Sequence, residues 1–401
     1  MGRRQRTNAG PDQRTGTSGR LAVWALRWHS VPMSENKIEI PADLLPRDGR
    51  FGSGPSKVRQ EAVIALAEVA PTLLGTSHRK PTVKDQVKRL RQGLASLFEL
   101  PDGYEVALGN GGSTLFWDAA TFHLIRERSA HAVFGEFSSK FAKAAKTAPH
   151  LGEPTIFESA PGTHPTVEAV DGVDVYALTH NETSTGVAMP LSRPSHDGLV
   201  LVDATSGAGG IGVDLREVDA YYFAPQKAFA SEGGLWLALL SPAAIGRIQE
   251  LSSRWAPEIL NLATALENAR QEQTYNTPSL STIFLMAEQV DWMNSQGGLA
   301  WSTKATANLS GHVYDWAEQR DFASPFVANP AERSPVTCTI DLDDAVAADD
   351  LTKVLRANGI LDIDAYRKLG RNQVRIATFP AIDQGDIEAL TACIDYVAER
   401  L

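Results

Sequence analysis

Short hydrophobic runs alternate with amphipathic stretches along most of the chain. Several runs, such as Leu199–Val202 and Leu235–Leu240, are continuously apolar and only four to six residues long. Runs of this length predict strands that are covered on both faces, which is typical of a mainly parallel sheet flanked by helices. We predict six such strands, at Tyr104–Leu108, Ala130–Phe134, Val173–Leu178, Leu199–Val202, Tyr221–Ala224 and Leu235–Leu240. In such α/β folds ligands bind beyond the carboxyl ends of the strands.

The last third of the chain has a different organisation. A helical pattern follows Pro278 to about Met293, and Gly297-Gly298 then interrupts it. From about Pro335 strands and helices alternate, with strands at Val336–Leu342 and Gln373–Thr378 and helices at Ala345–Asn358 and Asp386–Glu399. We therefore predict a large α/β domain at 53–295 and a smaller α+β domain formed by 34–52 and 296–401.

The first 33 residues differ in composition from the rest. Residues 1–32 contain six arginines, one acidic residue and several Gly, Pro and Ser turn formers, which cannot build a hydrophobic core. The apolar stretch 21–26 is too short for a signal peptide and ends at Arg27. We expect a disordered N-terminal extension, with Met33 as an alternative start; an Arg-rich targeting tail is the other interpretation.

Composition excludes several classes of protein. The 401 residues carry a formal charge of −10, and residues 33–401, with 32 Lys and Arg against 47 Asp and Glu, carry −15. This balance argues against a nucleic-acid or anionic-membrane partner, and the longest apolar run, six residues, cannot span a bilayer. The only cysteines, Cys338 and Cys393, exclude a disulfide framework and a Cys-rich zinc site. We predict no metal site and a reducing compartment, the cytoplasm.

A glycine-rich turn follows the first predicted strand. Residues 109–114 read Gly-Asn-Gly-Gly-Ser-Thr and lead into a helical pattern at Leu115–Ile125. Free N–H groups at such a helix start bind phosphate, although the Lys of a P-loop is missing. An ordinary turn is the alternative interpretation.

An aspartate and a lysine follow two later strands. Asp203 ends the run Leu199–Val202, and Lys227 follows Tyr221–Ala224. If the two strands are neighbours, the side chains converge, and this pair suits pyridoxal phosphate: an Asp holds the protonated ring nitrogen and a desolvated Lys forms a Schiff base. Alternatively, Asp203 begins a turn or pairs with a cation, and Lys227 is a solvated loop residue.

Two further motifs have simpler interpretations. Residues 207–212 spell G-x-G-x-x-G, but another strand follows within a few residues, so we predict a flexible loop and no dinucleotide site. Thr277-Pro278 predicts a helix that starts with Thr277 as N-cap and Pro278 at the first helical position.

Several motifs in order resemble the phosphoserine aminotransferases, actinobacterial ones in particular, which are class V members of the fold-type I pyridoxal-phosphate enzymes. The resemblance covers nearly the whole chain after about Ile38. The motifs are Phe51-Gly52-Ser53-Gly54-Pro55, Ser77-His78-Arg79, Asn181-Glu182-Thr183, Val202-Asp203, Gln226-Lys227, Asn276-Thr277-Pro278 and Val374-Arg375.

The resemblance implies a complete cofactor site. Lys227 is similar to the Schiff-base lysine and Asp203 to the partner of the pyridine nitrogen, so these two are the catalytic candidates. The remaining cofactor ligands are Gly112, Ser113, Thr114 and Gln226 for the phosphate, Thr183 for the ring hydroxyl, and Phe137, Trp in many relatives, for ring stacking. Asn276 and Thr277 match residues that reach a neighbour's cofactor phosphate, which implies a homodimer with shared sites.

The resemblance also implies substrate contacts. Arg375 matches the residue that binds the α-carboxylate, and His78 and Arg79 match the site for the substrate's phosphate. Many relatives have a Gly-His-Arg segment before Arg375, whereas this chain has Tyr-Arg-Lys-Leu-Gly-Arg at 366–371. We expect Lys368 or Arg371 to take its place.

The resemblance implies an aminotransferase that works between L-glutamate and 3-phosphohydroxypyruvate by a ping-pong route, yielding O-phospho-L-serine and 2-oxoglutarate for serine biosynthesis. Pyridoxine biosynthesis is a further implied role. Two enzymes of the same class are alternatives: an alanine– or serine–glyoxylate aminotransferase, and a cysteine desulfurase, which requires a mobile catalytic Cys. A phosphate- or nucleotide-binding module without catalysis is the alternative from another class.

Overall fold

A seven-stranded sheet lies at the centre of the computed structural model, which describes residues 38–401. In chain order the strands are β1 (Glu105–Asn110), β2 (Ser129–Val133), β3 (Thr155–Glu158), β4 (Val175–Thr179), β5 (Asn181–Glu182), β6 (Val187–Ala188), β7 (Leu199–Asp203), β8 (Ala220–Phe223), β9 (Leu235–Leu240), β10 (Ala323–Pro325), β11 (Thr337–Leu342) and β12 (Gln373–Ala377). The large sheet has the order β1-β9-β8-β7-β4-β2-β3. From β8 to β3 all neighbours are parallel, and β9 is antiparallel to β1 and β8.

Ten α-helices accompany the strands within the described residues. They are α1 (Gln60–Leu73), α2 (Pro81–Leu97), α3 (Ser113–His123), α4 (Glu136–Thr147), α5 (Pro242–Glu250), α6 (Leu262–Arg270), α7 (Leu280–Gln296), α8 (Gly298–Glu318), α9 (Ala348–Ala357) and α10 (Gln384–Ala398). Of these helices, none is long and apolar enough to cross a membrane.

The predicted α/β architecture is confirmed. All eight predicted strands are present, with ends shifted by at most two residues, and Leu235–Leu240 matches β9 at both ends. The prediction missed the two- and three-residue strands β5, β6 and β10. In the large sheet it missed β3, a four-residue edge strand whose side chains are only partly buried or exposed. Because such a strand has little apolar surface to bury, it leaves no hydrophobic run in the sequence.

Both faces of the sheet are covered. Every residue of β4, β7, β8 and β9 is buried. Along β7 the side chains alternate between two cores: Val200 and Val202 join a cluster with residues of α2 and α7, while Leu199 and Leu201 join one with residues of α3, α5 and α6. Burial on both faces explains why this strand has a continuously apolar sequence.

A smaller antiparallel sheet of β10, β11 and β12 forms the C-terminal part. Ile340 of β11 and Ile376 of β12 pack in a third core with residues of α8, α9 and α10, and with Ile40 and Phe51 from the start of the described chain. The domain boundaries given above stay predictions. The predicted extension at residues 1–33 lies outside the described residues.

The expected start of α7 is wrong. The helix begins at Leu280, and the hydroxyl of Ser279 is its N-cap, accepting a bond from the Thr282 N–H at 3.4 Å. Thr277 does not cap the helix, and its hydroxyl lies 3.1 Å from Nδ1 of His78. Pro278 therefore precedes the cap and does not occupy the first helical position.

Of the glycines at 207–212, Gly207, Gly209 and Gly210 lie in a buried turn rather than a flexible loop, and Gly212 is exposed. Two helix-like backbone bonds close the turn, from Ala208 to Ala204 and from Ile211 to Gly207, each at 2.8 Å. The Gly210 carbonyl accepts a bond from Thr306 at 2.7 Å, and a Cβ at Gly210 would lie 2.5 Å from Cγ1 of Val336. Close packing against Val336 thus explains why position 210 is a glycine.

Candidate active site

Asp203 and Lys227 lie at the carboxyl ends of neighbouring parallel strands. Asp203 is the last residue of β7 and pairs in register with Tyr222 of β8, and Lys227 follows β8 by four residues. Both side chains are buried, with residues 5% and 8% exposed. The interpretation of Lys227 as a solvated loop lysine is therefore wrong.

The backbone around Ser53 and Gly54 encloses the Lys227 amine. Nζ donates to the carbonyl of Ser53, and a Cβ at Gly54, whose φ is +127°, would lie 2.0 Å from Nζ. Burial and the nearby charge of Arg375 lower the pKa of Lys227 to about 7, although Asp203 opposes the shift. About half of the amines are then neutral at pH 7, as a nucleophile requires.

Asp203 is held in place through both carboxylate oxygens. The indole N–H of Trp117 donates to Oδ2 at 3.1 Å, and the backbone N–H of Thr205 donates to Oδ1 at 2.9 Å. Burial raises the pKa of Asp203, and these two hydrogen bonds oppose the rise. A buried carboxylate of this kind is stabilised by a cationic partner.

The start of α3 lies next to Asp203. The hydroxyl of Thr205 donates to that of Ser113 at 2.6 Å. Gly112, the residue before the helix, has no side chain to cap it, so the first N–H groups are left for an external acceptor. Ser113 is buried and the Thr114 side chain is exposed.

Thr183 and Arg375 are joined directly. Arg375 donates from Nη1 to the Thr183 carbonyl at 3.3 Å, and the Thr183 hydroxyl donates to Ser206 at 2.7 Å. Nε of Arg375 is buried and has no hydrogen-bond partner within residues 38–401. A ligand that brings a carboxylate would satisfy this unused part of the guanidinium fork. Oε1 of Gln226 is likewise buried without a partner in that part of the chain.

The segment 366–371 closes one side of the site. The ring of Tyr366 lies 6.1 Å from that of Phe137 and 5.4 Å from the guanidinium of Arg375. Lys368 forms an ion pair of 2.5 Å with Glu136, the residue before Phe137.

Arg371, on the same segment, contacts other residues. It forms an ion pair with Asp341 and lies over the ring of Phe326. Of the two candidate cations, the structure therefore places Lys368 beside the Phe137 segment.

A second cluster contains the other predicted residues. His78 contacts Thr277, and Asn110, the last residue of β1, bonds both to the backbone N–H of Asn276 at 3.2 Å and to the carbonyl of Thr277 at 3.3 Å. Burial and the charge of Arg79 lower the pKa of His78. Asn276, Thr277 and Arg79 are exposed, so this cluster faces outward.

Several residues that position the site were not predicted from the sequence. Trp117 and Thr205 hold Asp203, and Asn110 holds the 276–277 segment. Trp117 lies four residues after Ser113 and hence on the same face of α3, and Thr205 lies two residues after Asp203. This spacing is a weak indication that Trp117 and Thr205 lie near the site, but only the fold shows their contacts with Asp203.

Comparison with known proteins identifies the family of the chain. Residues 55–363 match the model of the family described as Aminotransferase class-V. A phosphoserine aminotransferase of Nocardioides sp. (strain JS614) is 57% identical over 370 residues, covering 91% of this chain and 99% of that protein. The phosphoserine aminotransferase of Rhodococcus jostii (strain RHA1) is 55% identical over 366 residues, covering 90% and 98%.

Solved structures show the same fold. A crystal structure of a phosphoserine aminotransferase from Cytophaga hutchinsonii has a TM-score of 0.79 at 25% identity and covers 87% of this chain and 99% of that one. The PLP-bound phosphoserine aminotransferase from Trichomonas vaginalis has a TM-score of 0.74 at 17% identity, with 87% and 100% covered. With a family match over residues 55–363 and relatives above 50% identity across nine-tenths of its length, the chain belongs to the class V aminotransferase family.

Proposed function

We propose that this protein is a phosphoserine aminotransferase that uses pyridoxal phosphate. It transfers the amino group between L-glutamate and 3-phosphohydroxypyruvate, giving O-phospho-L-serine and 2-oxoglutarate. The observation that carries the proposal is the buried pair of Lys227 and Asp203 at adjacent strand ends, with Arg375 close enough to lower the pKa of the lysine. Relatives at 55–57% identity with this name support the choice of substrate.

The residues present fit pyridoxal phosphate. Lys227 offers a desolvated amine to the aldehyde, and Asp203 offers a buried carboxylate to the ring nitrogen. The uncapped start of α3 at Gly112 and Ser113 suits the phosphate. Gln226, whose buried Oε1 has no partner within residues 38–401, has an amide N–H group that can donate to it. When bound, the cofactor supplies a protonated ring that accepts the electron pair left at the substrate Cα.

The chemistry of the chain itself is proton transfer and positioning. Lys227 takes the proton from Cα of the amino-acid substrate in one half-reaction and delivers a proton to Cα of the amino-acid product in the other. A pKa of about 7 permits both near neutral pH. Asp203, aligned by Trp117 and Thr205, keeps the proton on the ring nitrogen. The Phe137 ring supplies a flat apolar face for stacking.

Substrate selection rests on cations in an acidic protein. The Arg375 guanidinium, whose Nε has no partner in the described part of the chain, suits the α-carboxylate that both amino acids share. His78, Arg79 and Lys368 are our candidates for the phosphate. Loss of Lys368 should raise KM for the phosphorylated substrate and leave KM for glutamate unchanged, whereas loss of Arg371 should change neither.

We further propose a homodimer with shared sites. Asn276 and Thr277 are exposed beside the 42% exposed ring of Tyr275, and α1 exposes Val63 and Ile64. Exposed apolar residues next to ligand-binding candidates are typical of a subunit interface.

Complementation tests the shared site. A Lys227→Ala chain and an Asn276→Ala/Thr277→Ala chain, each inactive alone, should regain activity when mixed and reassembled, because the hybrid has one complete site. Inactive mixtures of proven heterodimers would contradict the sharing.

The alternatives make different predictions. A glyoxylate-type aminotransferase would not need His78 and Arg79, so an Arg79→Ala enzyme that used phosphohydroxypyruvate normally would favour it. A cysteine desulfurase is disfavoured, because burial raises the pKa of Cys338 to about 12 and that of Cys393 to about 11, which leaves no reactive thiolate. A module without catalysis would leave Lys227 solvated, which conflicts with its burial.

Absorption spectroscopy is the direct test. The visible band of the purified protein with pyridoxal phosphate should disappear on addition of L-glutamate and return with 3-phosphohydroxypyruvate. Loss without return would retain the aminotransferase and reject this acceptor. A protein that forms no band with the cofactor would reject the whole assignment.

Two finer expectations complete the proposal. Both cysteines are free and buried, which suits a reducing compartment such as the cytoplasm. A role in pyridoxine biosynthesis requires that a phosphorylated hydroxythreonine also reverses the glutamate-induced change, and the same spectra would reveal this.

A further inference from the structure

Glu182 is a fully buried carboxylate next to the site that none of the roles above uses. It lies between Asn181 and Thr183, and its residue is 0% exposed. A charge in such a place is costly unless strong hydrogen bonds surround it. The neighbours of the carboxylate therefore indicate its role.

Both oxygens of Glu182 accept bonds from the first turn of α4 and from Ser184. Oε2 accepts from the backbone N–H groups of Phe137 and Ser138, at 3.1 and 2.9 Å, and from the Ser138 hydroxyl at 2.9 Å. Oε1 accepts from the Ser184 hydroxyl at 2.7 Å, with longer bonds of 3.3 Å from the N–H groups of Ser184 and Phe137. The carboxylate thus binds the otherwise unpaired donors of a helix start, where a negative charge is stabilised.

This arrangement fixes where Phe137 lies. Phe137 is the second residue of α4, and its own N–H is one of the bonded donors. The residue before the helix, Gly135, leaves just enough space: a Cβ there would lie 2.4 Å from Cγ of Glu182. Glu182 is therefore packed against the backbone that carries the Phe137 ring.

We propose that Glu182 is a positioning residue that fixes the Phe137 ring for stacking on the cofactor. This inference rests on the proposed function, because it assumes that Phe137 contacts pyridoxal phosphate. Both carboxylate oxygens of Glu182 act as acceptors. A glutamine at this position would replace one of them with an NH₂ group, which would then face the donors of Ser184 or of α4.

A double-mutant cycle on cofactor affinity tests the proposal. Apoprotein is titrated with pyridoxal phosphate, and the dissociation constant is measured for wild type, Glu182→Gln, Phe137→Ala and the double variant. Alone, Glu182→Gln should weaken binding about ten-fold. In the Phe137→Ala background the same change should have less than about a two-fold effect, because the ring it positions is gone.

Two controls separate positioning from stability. Glu158→Gln removes the same charge from an exposed side chain at the end of β3 and should leave the dissociation constant unchanged. The melting temperature of each apoprotein shows whether Glu182→Gln folds, and Glu182→Asp, which keeps the charge, takes its place in the cycle if it does not.

The outcomes are distinct. Independent, additive effects of the two changes overturn the inference, since a purely structural Glu182 would weaken binding whatever occupies position 137. A wild-type protein that does not bind the cofactor overturns the proposed function first.

Discussion

The pKa of Lys227 gives the sharpest test of the site. At pH 7 an amine with a pKa of about 7 is about half neutral, whereas a lysine at the ordinary 10.5 is roughly 0.03% neutral. Other things being equal, the buried amine should attack an aldehyde about a thousand-fold faster than a free lysine side chain at this pH. This advantage follows mainly from burial, with Arg375 as the second cause.

The assay is the rate at which apoprotein captures pyridoxal phosphate, followed by stopped-flow absorbance from pH 5.5 to 9.5. N-α-acetyl-lysine in the same buffers is the reference amine, because the ionisation of the cofactor then cancels in the ratio of the two rates. Below pH 7 both rates should rise about ten-fold per unit and the ratio should be constant. Above pH 7 Lys227 is already neutral, so the ratio should fall about ten-fold per unit.

Removal of Arg375 provides the matched perturbation. Arg375→Leu takes away a positive charge that lowers the pKa of Lys227, so the turning point of the ratio should move to higher pH. Lys368→Ala removes an exposed cation, 67% accessible at its side chain, and should not move it. A wild-type ratio that stays constant through pH 9 would refute the reasoning, because Lys227 would then titrate as an ordinary lysine.

Three further predictions follow from contacts of the same pair. Trp117→Phe removes the indole donor to Asp203 and should lower kcat about ten-fold with little change in KM, as measured by steady-state kinetics; unchanged kcat would show that the bond is dispensable. Gly54→Ala places a Cβ 2.0 Å from the Lys227 amine at a φ of +127°, so the folded variant should fail to form the visible cofactor band; a normal band would contradict the close approach. Since the folded pKa of Lys227 lies below the unfolded value, the unfolded chain binds more protons above pH 7, and apoprotein stability should rise with pH. Between pH 7 and 9 this gain is about 2 kcal/mol, and denaturant titration should show that Lys227→Met lacks it; equal pH dependence in both proteins would contradict the shift.

The pattern of the sequence was sufficient for the architecture. Continuously apolar runs such as Leu199–Val202 require cover on both faces, and the alternation with helices then leaves few arrangements other than a mainly parallel sheet. The same logic placed Asp203 and Lys227 together, because neighbouring parallel strands end at one edge. The strand β3 and the cap of α7 were not predicted correctly, since an edge strand buries little and three adjacent residues at 277–279 all suit a helix start.

Contacts between distant segments were decided only by the tertiary structure. The chemistry of Asp203 and Lys227 was readable from residue type and position. The pKa of Asp203, however, is raised by burial, and that of Lys227 is lowered by burial and by Arg375, more than 140 residues away. Likewise, Glu182 was visible as part of a motif, yet its contact with the start of α4 appears only in the folded chain. Local pattern determines which elements form because it acts over a few residues, whereas desolvation and hydrogen bonding at a site depend on which segments the fold brings together.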